Sequence, residues 1–91
     1  MNDVEIDIYK FLDKLKKKGE LDNFHQYANE TIQMFINKME ERLEYDLDID
    51  LLVQIMEENG LEYNFYLNLS EYEKELIGTM LFGLLDNEDD D

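Results

Sequence analysis

The chain has no cysteine, no proline and no tryptophan, and it has one histidine. Without cysteine there are no disulfides, no thiolate nucleophile and no cysteine-held zinc. Without proline, helices run free of their strongest breaker. The single His25 stands three residues after Asp22, the spacing of a carboxylate-x-x-His metal motif, but a di-metal bundle needs a second copy and therefore a second histidine. Glycine is also scarce, at four residues, and none forms a phosphate-cradling or dinucleotide pattern. Long apolar runs are missing too. The longest uncharged stretch of the folded part, residues 76–85, is about half of what a membrane span requires. The opening Met1-Asn2-Asp3-Val4-Glu5-Ile6-Asp7 is acidic where a secretory signal is basic, so cytoplasmic residence is expected.

The scarcest thing is positive charge in the second half. Residues 1–42 hold nine Asp/Glu against seven Lys/Arg; residues 43–91 hold fifteen against Lys74 alone, and the whole chain carries a net −16. Such a block repels itself, so its charges must spread over a solvated face or meet something cationic. An anionic membrane surface and nucleic acid itself both carry the wrong sign to be partners. Yet 44% of the residues are hydrophobic and 12% aromatic, enough to build a core. Ninety-one residues make one domain. It is expected over residues 1–85, with residues 86–91 as a disordered acidic tail.

Val4, Ile8, Phe11, Leu12 and Leu15 lie at helical spacing before Gly19, which predicts a helix over residues 3–18. Its first turns are acidic, and Lys14, Lys16, Lys17 and Lys18 close it, so both ends complement the macrodipole. The same lysines could instead dock the acidic half, within the chain or across a dimer. A second stripe, from Phe24 through Tyr27, Ala28, Ile32, Phe35, Ile36 and Met39 to Leu43, predicts a helix over residues 23–44 with Asp22 as N-cap. The short connection makes the two an antiparallel hairpin.

The middle of the chain reads two ways. Residues 45–49 alternate apolar and acidic, and a short helix over residues 50–59 follows, with Asp50 as its cap and Gly60 as its stop. Residues 61–69 alternate more cleanly and read as a strand, although an extended connector or a helix stays open. Ser70-Glu71-Tyr72-Glu73 is a capping box that opens a last helix over residues 71–85. That helix is apolar nearly all round, which points to a homodimer interface through residues 76–85. The expected fold is thus mainly α, a bundle of three to four helices with a short β or extended insertion around residues 45–69.

Little of this supports catalysis. The hydroxyls are Ser70, Thr31, Thr79 and the tyrosines, the acidic pairs stand without a surrounding polar constellation, and no enzyme activity or cofactor is expected. Asp46, Asp48, Asp50 and Glu57 fall at positions 1, 3, 5 and 12 of a calcium loop, but Leu51 occupies the position whose sharp bend demands glycine, leaving at most a degenerate calcium-binding loop over residues 46–57. The inverse of nucleic-acid binding fits better: carboxylates presented to a protein groove built for phosphate. If extended, Asp46, Asp48 and Asp50 would project at steps of roughly 6.6 Å, of the order of the phosphate spacing along a strand. Glu57, Glu58, Glu62, Glu71, Glu73 and Glu75 continue that surface, and Tyr63, Tyr66 and Tyr72 are placed among them as anchors. The expected function is an inhibitor of the phage or mobile-element type that occupies the basic groove of a nucleic-acid-binding protein. The alternative is an antitoxin-like, immunity-like or regulatory subunit that meets a basic protein surface.

Overall fold

The helical stripes of the sequence become five helices in the computed structural model, which describes residues 3–44 and 46–87. Helix α1 (Asp3–Lys17) turns Phe11 and Leu15 inward. Gly19 ends it in the left-handed conformation (φ 73°), its N–H donating to the Lys16 carbonyl at 3.1 Å and that of Glu20 to the Leu15 carbonyl at 2.9 Å. This bond pattern leaves few carbonyls orphaned and suits a residue without a Cβ. The chain reverses there, so that Phe24 of α2 (Leu21–Arg42) meets Phe11 edge to face with centroids 6.0 Å apart.

Helix α2 starts earlier than expected. Glu20, not Asp22, occupies the cap position, and it makes no side-chain cap bond; Asp22 sits in the first turn, where its charge still faces the positive end of the dipole. At the other end Leu43 repeats the pattern of Gly19, with φ 57° and bonds from its N–H to Glu40 and from Glu44 N–H to Met39. A leucine in that conformation is strained.

Helix α3 (Ile49–Gly60) is capped by Asp48, whose carboxylate accepts from Leu51 N–H at 3.1 Å, so Asp50 lies inside the helix instead of capping it. The expected strand over residues 61–69 is not formed. Turns and a single-turn helix, α4 (Asn64–Leu67), take its place, and no strand occurs among the described residues. Phe65 and Tyr66 explain the difference: adjacent in sequence, both are buried, whereas a one-sided strand sends neighbours to opposite faces. Helix α5 (Glu71–Asn87) opens on the capping box, with Glu73 N–H donating to Ser70 Oγ at 3.2 Å and Ser70 N–H to Glu73 Oε1 at 3.0 Å. Residues 88–91, most of the expected tail, lie outside the described residues; Asp86 belongs to α5.

The core is organised by aromatic rings. Tyr27 of α2 packs against Tyr63, Phe65 and Tyr66 at centroid distances of 5.3–5.6 Å. Each fully buried side chain of this size contributes about 1.5–3 kcal/mol by leaving water. Polar groups tie the interior together: the Tyr27 hydroxyl donates to the Met56 carbonyl at 3.0 Å, and the Asn59 amide donates to Thr31 Oγ1 at 2.9 Å and the Tyr27 carbonyl at 3.3 Å, whereas the buried Tyr66 hydroxyl has no partner among the described residues. These bonds tie α2 to α3. Helix α5 then packs on α1, α2 and α3, burying Leu76, Ile77, Leu81 and Leu85 within the chain itself. Polar contacts add to its packing on α1: Lys14 pairs with Glu73 at 2.8 Å, and the Tyr72 hydroxyl donates to Asp7. One lysine of the basic cluster therefore does reach the acidic half.

Candidate partner-binding surface

The acidic residues expected to form one surface divide into two groups. Glu73 and Asp48 are committed inside the fold, the first to the capping box and Lys14, the second to the α3 cap with Arg42 Nη1 at 3.7 Å. Burial raises the Glu73 carboxyl, but the Lys14 ammonium and the Ser70 amide outweigh it and hold the group below its ordinary range. The evenly stepped Asp46, Asp48 and Asp50 array does not form, because Asp48 faces its own helix end and Asp50 lies within the helical turn that follows. The same helix takes up most of the span of the calcium loop: residues 49–57 are helical, and no group of three or more acidic or histidine ligands gathers among the described residues.

The second group is exposed. Asp46, Asp50, Glu57, Glu58, Glu62, Glu75 and Asp86 all face solvent, and none is paired with a cation among the described residues. Glu58 accepts from Gln54 at 3.3 Å one turn earlier. Glu71 has Lys74 at 3.8 Å.

The tyrosines separate in the same way. Tyr66 is 1% exposed and its ring forms part of the core, so it is not an exposed anchor. Its hydroxyl has no hydrogen-bond partner among the described residues, and burial, then the Glu57 charge, pushes it up to about 12. Tyr63 is half-buried against Tyr27 and Phe65; its hydroxyl donates to Glu30, which pushes it up to about 12 as well. Tyr72 is half-exposed but bound to Asp7, which raises its hydroxyl above the ordinary value.

Between α3 and α5 runs a groove of about 560 Å³. Ile49, Leu52, Val53, Met56 and Glu57 of α3 line one side at helical spacing, and Glu71, Lys74, Glu75, Gly78, Thr79 and Phe82 of α5 line the other. The two stripes run in opposite directions. Met56 lies opposite Gly78, where a Cβ would sit 3.7 Å from the Met56 methyl, and Glu57 and Glu71 both act on the Tyr66 hydroxyl. Carboxylates thus gather at the Tyr66 end, while Ile49, Val53 and Phe82 stay 47%, 46% and 37% exposed. A signal existed in the sequence: α3 has apolar residues on more than one face, and the last helix has them nearly all round. A second, more polar hollow of about 670 Å³ lies beside Gln26, Glu30, Glu62 and Tyr63. The chain buries Leu76, Ile77, Leu81 and Leu85 of its last helix unaided; among the described residues Tyr72, Phe82 and Leu84 are the large hydrophobics left exposed on it.

No helix among the described residues is long and apolar enough to cross a membrane. Comparison with known protein families, curated proteins and solved structures returns no match.

Proposed function

We propose that this chain acts by binding and not by catalysis: it is an acidic interaction protein that occupies a basic, nucleic-acid-binding groove on a partner protein. The observation that carries this reading is the set of exposed carboxylates with no cation paired to them among the described residues, Asp46, Asp50, Glu57, Glu58, Glu62, Glu75 and Asp86. Five of them sit on α3 and α5, with Asp46 and Glu62 flanking α3, so their backbone is ordered in advance and a cationic surface can neutralise them with less loss of conformational entropy. A partner built for phosphate supplies that surface.

The test is capture of partners on the immobilised chain, followed by binding measurements with each recovered protein. Affinity should fall steeply as salt rises, duplex DNA or RNA should compete, and reversing Asp50, Glu57, Glu58 and Glu62 to lysine should weaken binding far more than removing residues 88–91. Affinity indifferent to salt and to nucleic acid would refute the mimic. The apolar groove favours one second reading, an antitoxin-like or regulatory subunit anchored by side chains instead of charge, and that is the result it would give.

A further inference from the structure

Resting on the acidic-interaction reading, we propose that the α3/α5 groove receives an amphipathic helix of a partner protein, with apolar anchors along one end of its face and lysines or arginines at the other. The shape comes first. Two helices of opposite direction wall the groove, and no strand edge is available among the described residues, so an occupant gains side-chain packing and not a β-ladder. The α3 wall runs from Ile49 to Glu57, about 12 Å at 1.5 Å per residue, which matches anchors at i, i+3, i+4 and i+7 of a docked helix. Its volume lies inside the range of about 300–1,000 Å³ typical of binding clefts.

The chemistry is polarised along that length. At one end Ile49, Val53 and Phe82 offer exposed apolar surface. At the other the rim is Glu57, Glu71 and Glu75, with Lys74 as the one cation lining the groove among the described residues. Lys74 is already engaged, 3.8 Å from Glu71 and 5.2 Å above the Tyr66 ring, so the rim stays net negative. The complement is an apolar helix end followed by cations. A second copy of this chain is the poorer fit, because each copy brings a net −16 and, of its own cationic stretch, Lys14 and Lys17 are bound to Glu73 and Asp13.

The probe is a labelled synthetic helix with leucines at i, i+3, i+4 and i+7 and lysines beyond them, set against a peptide of the same composition with the leucines scrambled. Fluorescence anisotropy should show the patterned peptide binding at least about tenfold tighter than the scrambled one. Amide shifts in the wild-type protein should map to α3 and α5. Val53→Glu, Phe82→Glu and the pair Glu57→Lys/Glu71→Lys should each weaken binding by about tenfold or more, with circular dichroism confirming the fold. Equal binding of both peptides, with strong salt dependence and shifts on the outer face of α3, would overturn the groove while leaving the acidic reading standing. Binding lost with Val53→Glu but untouched by the lysine pair and by salt would overturn the basic occupant and the acidic reading together. Failure of both peptides to bind, or groove shifts that track protein concentration without peptide, would also overturn the proposal, the latter in favour of a second copy.

Discussion

Gly60 ends α3 without a positive φ, so backbone geometry alone does not require glycine there. Replacing a helical glycine with alanine ordinarily stabilises by up to about 1 kcal/mol. Here the opposite sign is expected. An added Cβ would stand 2.3, 2.5 and 2.7 Å from three carbons of the Tyr66 ring, where contact distances for carbon are about 3.5–4.0 Å. The obstacle is a ring and not the end of a flexible chain, held by Tyr27 at 5.3 Å and covered by Lys74. Overpacking of that kind costs about 1–3 kcal/mol, which outweighs the propensity gain at a terminal helical position. Gly60→Ala should therefore lower Tm by about 4–8 °C for each kcal/mol lost, measured by far-ultraviolet circular dichroism at fixed salt. The same substitution in a Tyr66→Leu background should be neutral or stabilising, because the smaller side chain vacates the site. A double-mutant cycle isolates the coupling. An unchanged or raised Tm for Gly60→Ala in the parent chain would refute the argument.

Leu43 gives the reverse experiment. It sits 75% exposed with φ 57°, so Leu43→Gly relieves about 1–2 kcal/mol of left-handed strain and removes little packing, and urea unfolding should show a higher midpoint. Alkaline pH tests the buried tyrosines. Burial raises Tyr27, with the neighbouring Tyr66 adding to it, and raises Tyr66 to about 12, so the fold favours their protonated forms. That stability is fully present below the unfolded value of about 10 and is lost as pH rises through the folded values. Tyrosinate absorbance from these residues should appear together with loss of helical dichroism, and ionisation of every tyrosine with the helices intact would contradict it.

How far the sequence reveals this fold depends on whether the signal is local. Helices α1 and α2 follow from apolar spacing and from Gly19, and the Ser70/Glu73 box follows from two residue types at one separation. The choice between Asp48 and Asp50 as cap was not legible, since each is an acidic residue at the edge of an apolar run. Residues 61–69 misled because alternation in sequence hides which residues face inward: Leu61 and Leu67 are exposed, while Phe65 and its neighbour Tyr66 are both buried. Tyr66 read as a surface anchor because a tyrosine among carboxylates suits an interface as well as a core; the approach of Tyr27, far away in the chain, and of the nearby Gly60 decides between them. The groove was half visible. The excess apolar surface of the last helix was real, but what it faces is α3, from which it is separated by turns and a one-turn helix that spacing did not reveal.

The Lys14–Glu73 pair joins residues 59 apart in the chain, and Tyr72–Asp7 joins residues 65 apart. At ~5–20 residues per second, a ribosome takes about 3–12 s to pass from Lys14 to Glu73. Over that interval the partners of α1 arrive in order, α2 first and α5 last, so Phe11 and Leu15 have a neighbouring helix to pack against before the contacts from α1 to α5 can form. The ion pair and the tyrosine–carboxylate bond are thus among the last contacts that synthesis permits.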